Sequence, residues 1–106
     1  MDELLEKADI CASFLKGLAS GHRLLILCQL LEGEKSVSAL IEATGIAQTS
    51  MSQHLTKLKA EGIVTFRREH RVLFYSISNQ AVLKIMTIMR DEVCDRVNET
   101  KQKLEE

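Results

Sequence analysis

Proline is absent from the 106-residue sequence, and only 4% of its residues are aromatic. Without proline to interrupt helices, and with few of the aromatic side chains that favour strands, the composition favours a mainly helical protein. Hydrophobic residues make up 45% of the chain and charged residues 27%, as is ordinary for a globular protein. We therefore expect one domain, residues 1–106, with a modest core that a second copy of the chain can complete.

Long apolar runs are missing as well, since none approaches the roughly 18 residues that span a bilayer. The first residues, MDELLEKAD, are acidic, whereas a secretion signal begins with basic residues and continues with apolar ones. These two features predict a cytoplasmic protein with no membrane partner.

The cysteines, Cys11, Cys28 and Cys94, are odd in number and have no CxxC spacing. In a reducing compartment such residues are free thiols, metal ligands or redox-sensitive groups rather than a disulfide framework. The histidines lack the i,i+4 spacing of a helical zinc pair, so we expect each to form local hydrogen bonds or to contact phosphate. Because no catalytic constellation or phosphate loop is present, we predict no enzyme activity, no cofactor and no metal site.

Apolar periodicity predicts four helices in the first part of the chain. The segments DELLEKADICASFLKGLA and HRLLILCQLLE, residues 2–19 and 22–32, form the first two. A short third helix, SVSALIEATG, begins with Ser36 as its N-cap and ends at Gly45. Only IAQ separates it from the fourth, TSMSQHLTKLKAEG, at residues 49–62. Two short helices joined by a tight turn that contains glycine are a helix-turn-helix signature.

The pattern then changes from helical to alternating. Residues 63–77, IVTFRREHRVLFYSI, alternate around a charged tip and predict a two-stranded hairpin. Residues 78–106 predict one long final helix, with Val82, Met86 and Val93 on its apolar stripe. The predicted fold is therefore mainly α with a hairpin wing, a winged helix-turn-helix of four helices, two strands and a fifth helix.

The fourth helix has a polar face suited to reading DNA. With Met51, Leu55 and Leu58 toward the core, a projection at 100° per residue places hydroxyls, amides and a cation on the opposite side. Glutamine can bond adenine through two parallel hydrogen bonds, hydroxyls reach bases or phosphates, and lysine binds phosphate. A solvated helix face is the alternative, but the basic hairpin that follows favours DNA. The predicted DNA-binding residues are Gln48, Thr49, Ser52, Gln53, Thr56, Lys57, Arg67, Arg68, His70 and Arg71.

The sequence resembles the ArsR/SmtB family of dimeric bacterial repressors over nearly the whole chain. Within residues 21–77 the likeness is clearest in RLLIL, SVSAL, SQHLTKLKAEGIV and RREHRVLFYSI. The resemblance implies two winged domains on an inverted-repeat operator in double-stranded DNA. It also implies a homodimer whose interface is formed by the N-terminal and C-terminal helices. Two departures are a proline missing from ASGHR and an alanine, Ala47, where a serine would cap the fourth helix better.

Two thiols also lie where the BigR, SqrR and HlyU branch of this family carries its cysteines, on the second helix and on the last. Family metal sites use a thiolate pair on the third helix or Asp and His pairs on the last. In this sequence SVSALIEATG has no cysteine and the last helix has no histidine. The resemblance therefore implies that Cys28 and Cys94 sense persulfides or polysulfides, or oxidants more broadly, and that their crosslinking releases operator DNA.

The residues themselves leave other roles open for the thiols. Cys28 lies on an apolar helix face with Leu24 and Leu27, so it can be a small core hydrophobe. Cys94 lies beside Arg90, and a thiol next to a cation is partly thiolate. For Cys11, on the apolar stripe of the first helix, we expect packing. The main rival sensor is arsenite held by three thiolates.

Geometry can distinguish sulfur donors from oxidants. A disulfide requires Cα atoms roughly 4.4 to 6.8 Å apart. Two thiols held slightly farther apart can be joined by a bridge with added sulfur, whereas peroxide would have to move the backbone to join them directly.

Overall fold

The computed structural model describes residues 2–94. Its five helices are α1 (Asp2–Leu18), α2 (Gly21–Leu30), α3 (Val37–Thr44), α4 (Gln48–Ala60) and α5 (Gln80–Ile88), and a π-helical turn, Met89–Cys94, continues α5. The strands are β1 (Lys35–Ser36), β2 (Val64–Glu69) and β3 (Val72–Ile77). The predicted winged helix-turn-helix order is confirmed.

The sheet contains one strand more than the sequence predicted. Its order is β1-β3-β2, and both pairings are antiparallel. The register of β2 and β3 ends at Glu69 opposite Val72, so His70 and Arg71 form a two-residue turn. His70 adopts a φ of 57°, a left-handed conformation in which histidine is enriched among residues other than glycine. The polar strand β1 carries no alternating pattern and forms only because β3 pairs with it.

Side chains from all five helices and from β2 and β3 form the core. Among those with at most 1% of their surface exposed are Ile26, Leu27, Leu40, Met51, Leu55, Leu58, Val82 and Met86. The angle between α3 and α4 is set in the short turn between them, where Gly45 has a φ of 74° and donates to the Ile41 carbonyl at 2.9 Å. Ser36 accepts from the Ala39 amide at 3.1 Å, as its predicted N-cap role requires.

The last predicted helix changes its hydrogen bonding partway. Regular α-helix ends at Ile88, and Met89–Cys94 forms a π-helical turn with i→i+5 spacing. Because a π-helix turns less per residue, the 100° projection does not give the direction of Cys94. Residues 95–106 of the predicted helix lie outside the described residues.

Most of α1 lies on the surface of the single chain. Leu18 is buried and Phe14 packs against the core, whereas Leu4, Ile10 and Leu15 are 71%, 69% and 54% exposed. Among residues 2–94, no single helix is long and apolar enough to cross a membrane. The pair α1 and α2 meets the criteria together but is bent by 82°.

Candidate nucleic-acid interface and thiol pair

Helix α4 separates its two faces as the sequence predicted. Met51 and Leu58 are fully buried and Leu55 is 1% exposed. The residues predicted to read DNA all lie on the exposed side, namely Gln48, Thr49, Ser52, Gln53, Thr56 and Lys57. Ala47 occupies the N-cap without a side-chain hydrogen bond, so it supplies no acceptor for the first-turn amides. Such amides suit an anionic acceptor such as a phosphate.

Four of these residues line one shallow depression. Ser52, Gln53, Thr56 and Lys57 surround a volume of about 290 Å³ on the exposed face of α4. The Thr56 hydroxyl donates to the Ser52 carbonyl at 2.8 Å, which fixes its direction and leaves its oxygen able to accept. This surface therefore offers amide, hydroxyl and ammonium groups over two helical turns, a combination that can bond base edges and phosphates.

The wing contributes to a second depression beside the start of α4. Arg71 lines it together with Gln48 and Ser52 of α4 and with Ser36 and Ser38 at the start of α3, around a volume of about 320 Å³. The fold thus brings three sequence-predicted residues together. Ser38 was not predicted, although its place in the first turn of the first helix of the motif, which crosses the DNA backbone in such proteins, could have identified it.

The basic residues of the wing do not share one surface. Side chains alternate along a strand, so Arg67 and Arg68 point to opposite faces of β2. Arg68 and His70 are exposed. Arg67 is bound by the carboxylates of Glu34 and Glu69. The wing therefore presents fewer unengaged positive charges than its sequence indicates.

Two histidines join α4 to the start of α2. The His22 and His54 rings are edge to face, with Nδ1 of His22 3.3 Å from Nε2 of His54. Beside them Arg23 forms an ion pair with Glu61 at 2.6 Å. The pKa of His54 is lowered, first by its partial burial and then by the charges of His22, Arg23 and Lys57. The sequence predicted local hydrogen bonds for these histidines, and the structure shows that they contact each other.

This pair predicts a loss of stability in acid. The unfolded chain takes up the His54 proton near the ordinary pKa of 6.5, and the folded chain takes it up only at lower pH, so stability falls as the pH drops through that interval. We expect the Tm to fall between pH 7.5 and 5.5, and to fall less in His54→Gln, in differential scanning fluorimetry. His70→Asn, at an exposed histidine, is the control. Equal losses in His54→Gln and wild type would contradict this role.

The thiols of Cys11, Cys28 and Cys94 are all free and exposed. The possibility that Cys28 packs in the core is therefore wrong for the single chain, although its neighbour Leu27 is fully buried. The pKa of Cys28 is raised, chiefly because surrounding atoms exclude water and further by the charge of Cys94, while Arg90 opposes the change. The α2 thiol and the π-helical turn that carries Cys94 are thus close enough to interact electrostatically.

Cys11 has a different environment. It lines an apolar groove of about 440 Å³ with Ile10, Phe14 and Ile85, between α1 and α5. Within residues 2–94, no three His, Cys, Asp or Glu side chains gather as a metal site would require. A site with three thiolates is therefore not formed by the described part of one chain.

A helix-turn-helix with an exposed polar recognition helix and a hairpin wing defines a DNA-binding protein of the winged helix-turn-helix class. The chain belongs to the arsR family of bacterial regulatory proteins, whose model matches residues 20–65. It is accordingly a DNA-binding transcriptional repressor.

Three known proteins illustrate the similarity. The nodulation protein NolR of Rhizobium meliloti is 41% identical over 98 residues, which are 92% of this chain and 80% of NolR. The structure of reduced HlyU from Vibrio cholerae has a TM-score of 0.82 at 32% identity and covers 89% of this chain and 99% of HlyU. The transcriptional repressor BigR from Xylella fastidiosa has a TM-score of 0.79 at 32% identity, with 90% and 94% covered.

Proposed function

We propose that the protein is a homodimeric repressor that binds an inverted-repeat operator and releases it when persulfides or polysulfides crosslink Cys28 to Cys94. The observation that carries this proposal is the position of two exposed thiols on different helices, near enough for the charge of Cys94 to act on Cys28. The similarity to BigR and to HlyU, whose reduced form has been solved, supports it.

An organic trisulfide, RS–S–SR, can form the bridge without another oxidant. The thiolate of one cysteine attacks the central sulfur and displaces RS⁻, which leaves Cys–S–S–SR. The thiolate of the second cysteine attacks that same central sulfur and displaces the other RS⁻. The product is a trisulfide between Cys28 and Cys94, and the two cysteine protons end on two RSH molecules.

Such a bridge would constrain the dimer as well as the two helices. Cys28 lies in α2, which packs within the DNA-reading domain, and Cys94 ends the extension of α5. The two recognition helices of a dimer must lie about 34 Å apart to enter successive major grooves. A conformer with a different spacing loses both contacts together, so stabilising that conformer lowers DNA affinity.

The exposed apolar residues support the homodimer. Large side chains on α1 and along α5 with its extension are at least half exposed, among them Leu4, Leu5, Ile10, Leu15, Ile88 and Val93. Large exposed apolar surfaces are typical of interaction sites. Because both helices flank the apolar groove that contains Cys11, a second copy can cover them in one interface.

The experiment that tests the proposal treats the reduced dimer in parallel with an organic trisulfide, hydrogen peroxide and arsenite. Intact mass and peptide mapping then follow the thiols, and fluorescence anisotropy follows the bound DNA duplex. We expect a Cys28–Cys94 link with one added sulfur, formed only by the trisulfide, together with DNA release. A plain disulfide formed by peroxide would instead indicate a general thiol-oxidation sensor. Arsenic retained by protected thiols would indicate an arsenite regulator.

The recognition face gives a further prediction. Replacing Lys57 by Gln should reduce the slope of log K against log salt concentration by about 1.8, because each of the two protomers loses one phosphate contact at roughly 0.9 per contact. Lys84→Gln, at an exposed lysine of α5 outside the predicted interface, should leave the slope unchanged. Anisotropy titrations at several salt concentrations measure both. Equal slopes for Lys57→Gln and wild type would remove Lys57 from the predicted DNA contacts.

A further inference from the structure

Arg67, in the middle of β2, donates to two carboxylates. Its Nε lies 3.0 Å from each carboxylate oxygen of Glu34, and Nη2 lies 2.6 Å from Oε1 of the same residue. Nη1 donates to Glu69 at 2.9 Å. The guanidinium also lies over the ring of Phe74, with Cζ 4.6 Å from the ring centroid. Arg67 thus has an ion pair on two sides and an aromatic face on a third.

The strand register shows what this contact joins. Ser36 of β1 is opposite Phe74 of β3, and Phe74 is opposite Arg67 of β2, so the three residues form one row across the sheet. The Arg67 side chain therefore crosses β3 over Phe74 and reaches Glu34, which precedes β1. Since β1 pairs with β3 over only two residues, the Glu34–Arg67 pair is a second attachment of the wing to the segment between α2 and α3.

The charges around Arg67 favour a role in attaching the wing over a direct contact with DNA. The positive charge of Arg67 is balanced by the carboxylates of Glu34 and Glu69, which both accept from it. Its hydrogen bonds also lower the pKa of Glu34. The two carboxylates already neutralise the guanidinium, so a DNA phosphate gains less from contacting Arg67 than from contacting an unpaired arginine. Arg68 lies on the opposite face of β2, and Arg71 lines the depression beside Gln48.

We propose that Arg67 is a positioning residue that, through Glu34, fixes the wing so that Arg68, His70 and Arg71 meet the DNA backbone. Arg67 itself then neutralises no phosphate, which revises its sequence-based assignment as a DNA contact. The proposal rests on DNA binding through the wing and is independent of the thiol chemistry.

The test uses the full chain and a fluorescent duplex selected from random-sequence DNA by the wild-type protein. Affinity is measured over a series of salt concentrations for Arg67→Gln, Arg67→Lys, Glu34→Gln and the double variant, with Arg71→Gln as the phosphate-contact control. We expect Arg67→Gln and Glu34→Gln to weaken binding by a similar factor with the salt slope unchanged. The double variant should be no weaker than either single variant, because both remove the same contact.

Two variants separate positioning from phosphate contact whether or not Arg67→Gln folds fully. Glu34→Gln removes a negative charge near the DNA, so tighter binding is expected if Glu34 only competes with phosphate, and weaker binding if it positions the wing. Lysine keeps the charge of Arg67 but cannot form the forked contact, so Arg67→Lys should behave like Arg67→Gln. Tighter binding by Glu34→Gln, rescue by Arg67→Lys or a salt slope lowered by Arg67→Gln would each overturn the proposal. An unchanged salt slope for Arg71→Gln would also overturn the proposal, because it would show that the wing does not contact the DNA backbone.

Discussion

Replacing either Cys28 or Cys94 by serine is expected to leave the DNA affinity of the reduced protein within about twofold of wild type, since both side chains are exposed. The same variants should no longer release DNA when an organic trisulfide is added. Wild type should lose at least about tenfold in affinity, within the usual range of allosteric coupling. Anisotropy titrations before and after treatment measure both quantities.

The reason is that one thiol can form only half of the bridge. A lone Cys28 or Cys94 ends as a mixed trisulfide with the donor, which places no constraint between α2 and the extension of α5. Cys11→Ser is the matched control, because this thiol is also exposed but lines the groove between α1 and α5. We expect Cys11→Ser to release DNA as wild type does.

Each contrary result has a definite meaning. Release that persists in Cys94→Ser would show that modification of Cys28 alone is sufficient and would contradict the crosslink. Loss of release in Cys11→Ser as well would favour a site that contains all three thiols, as arsenite requires. If wild type keeps its DNA affinity after a confirmed crosslink, the crosslink does not control DNA binding. That result would refute the proposed regulation.

The helical part of the fold was predictable because its signals are local. Apolar spacing identifies the buried face of α4, and Ser36 and Gly45 mark the two ends of α3. These features depend on residues within a few positions of one another. The helix-turn-helix and the candidate reading face follow from them directly.

Features that depend on distant residues were not predictable in the same way. Strand β1 exists through its pairing with β3, and Arg67 is held by Glu34, which is 33 residues away. A count of basic residues therefore assigns Arg67 to DNA, although the fold provides it with carboxylates. The contact between His22 and His54 is likewise set by the packing of α2 beside α4.

Cys28 illustrates a limit of periodicity itself. Leu27 and Cys28 are neighbours on the face that spacing assigns to the core, yet only Leu27 is buried. A helix turns by about 100° per residue, so adjacent positions at the edge of an apolar stripe can lie on either side of the boundary. The charge of Cys94, in the extension of α5, contributes to the raised pKa of Cys28, an influence that helical spacing does not reveal.

Leu15 of α1 belongs to the exposed apolar residues that the proposed dimer would bury. Replacing Leu15 by Glu should convert the dimer to monomers at micromolar concentrations and weaken DNA binding by about 100-fold or more. Burying one leucine contributes about 1.5 to 3 kcal/mol. Because a two-fold interface contains the substitution twice, about 3 to 6 kcal/mol is lost, or at least about two decades in the dimerisation constant.

Leu15 suits this test because it is 54% exposed in the single chain, so a glutamate there costs the fold little. Lys16→Gln is the control, since it changes the charge of α1 by the same −1 at the next residue, away from the apolar stripe. Sedimentation equilibrium gives the mass, and circular dichroism shows that the helices persist. A Leu15→Glu protein that remains dimeric would exclude this part of α1 from the interface. A monomer that binds the duplex as tightly as wild type would show that the two winged domains do not act together on one operator.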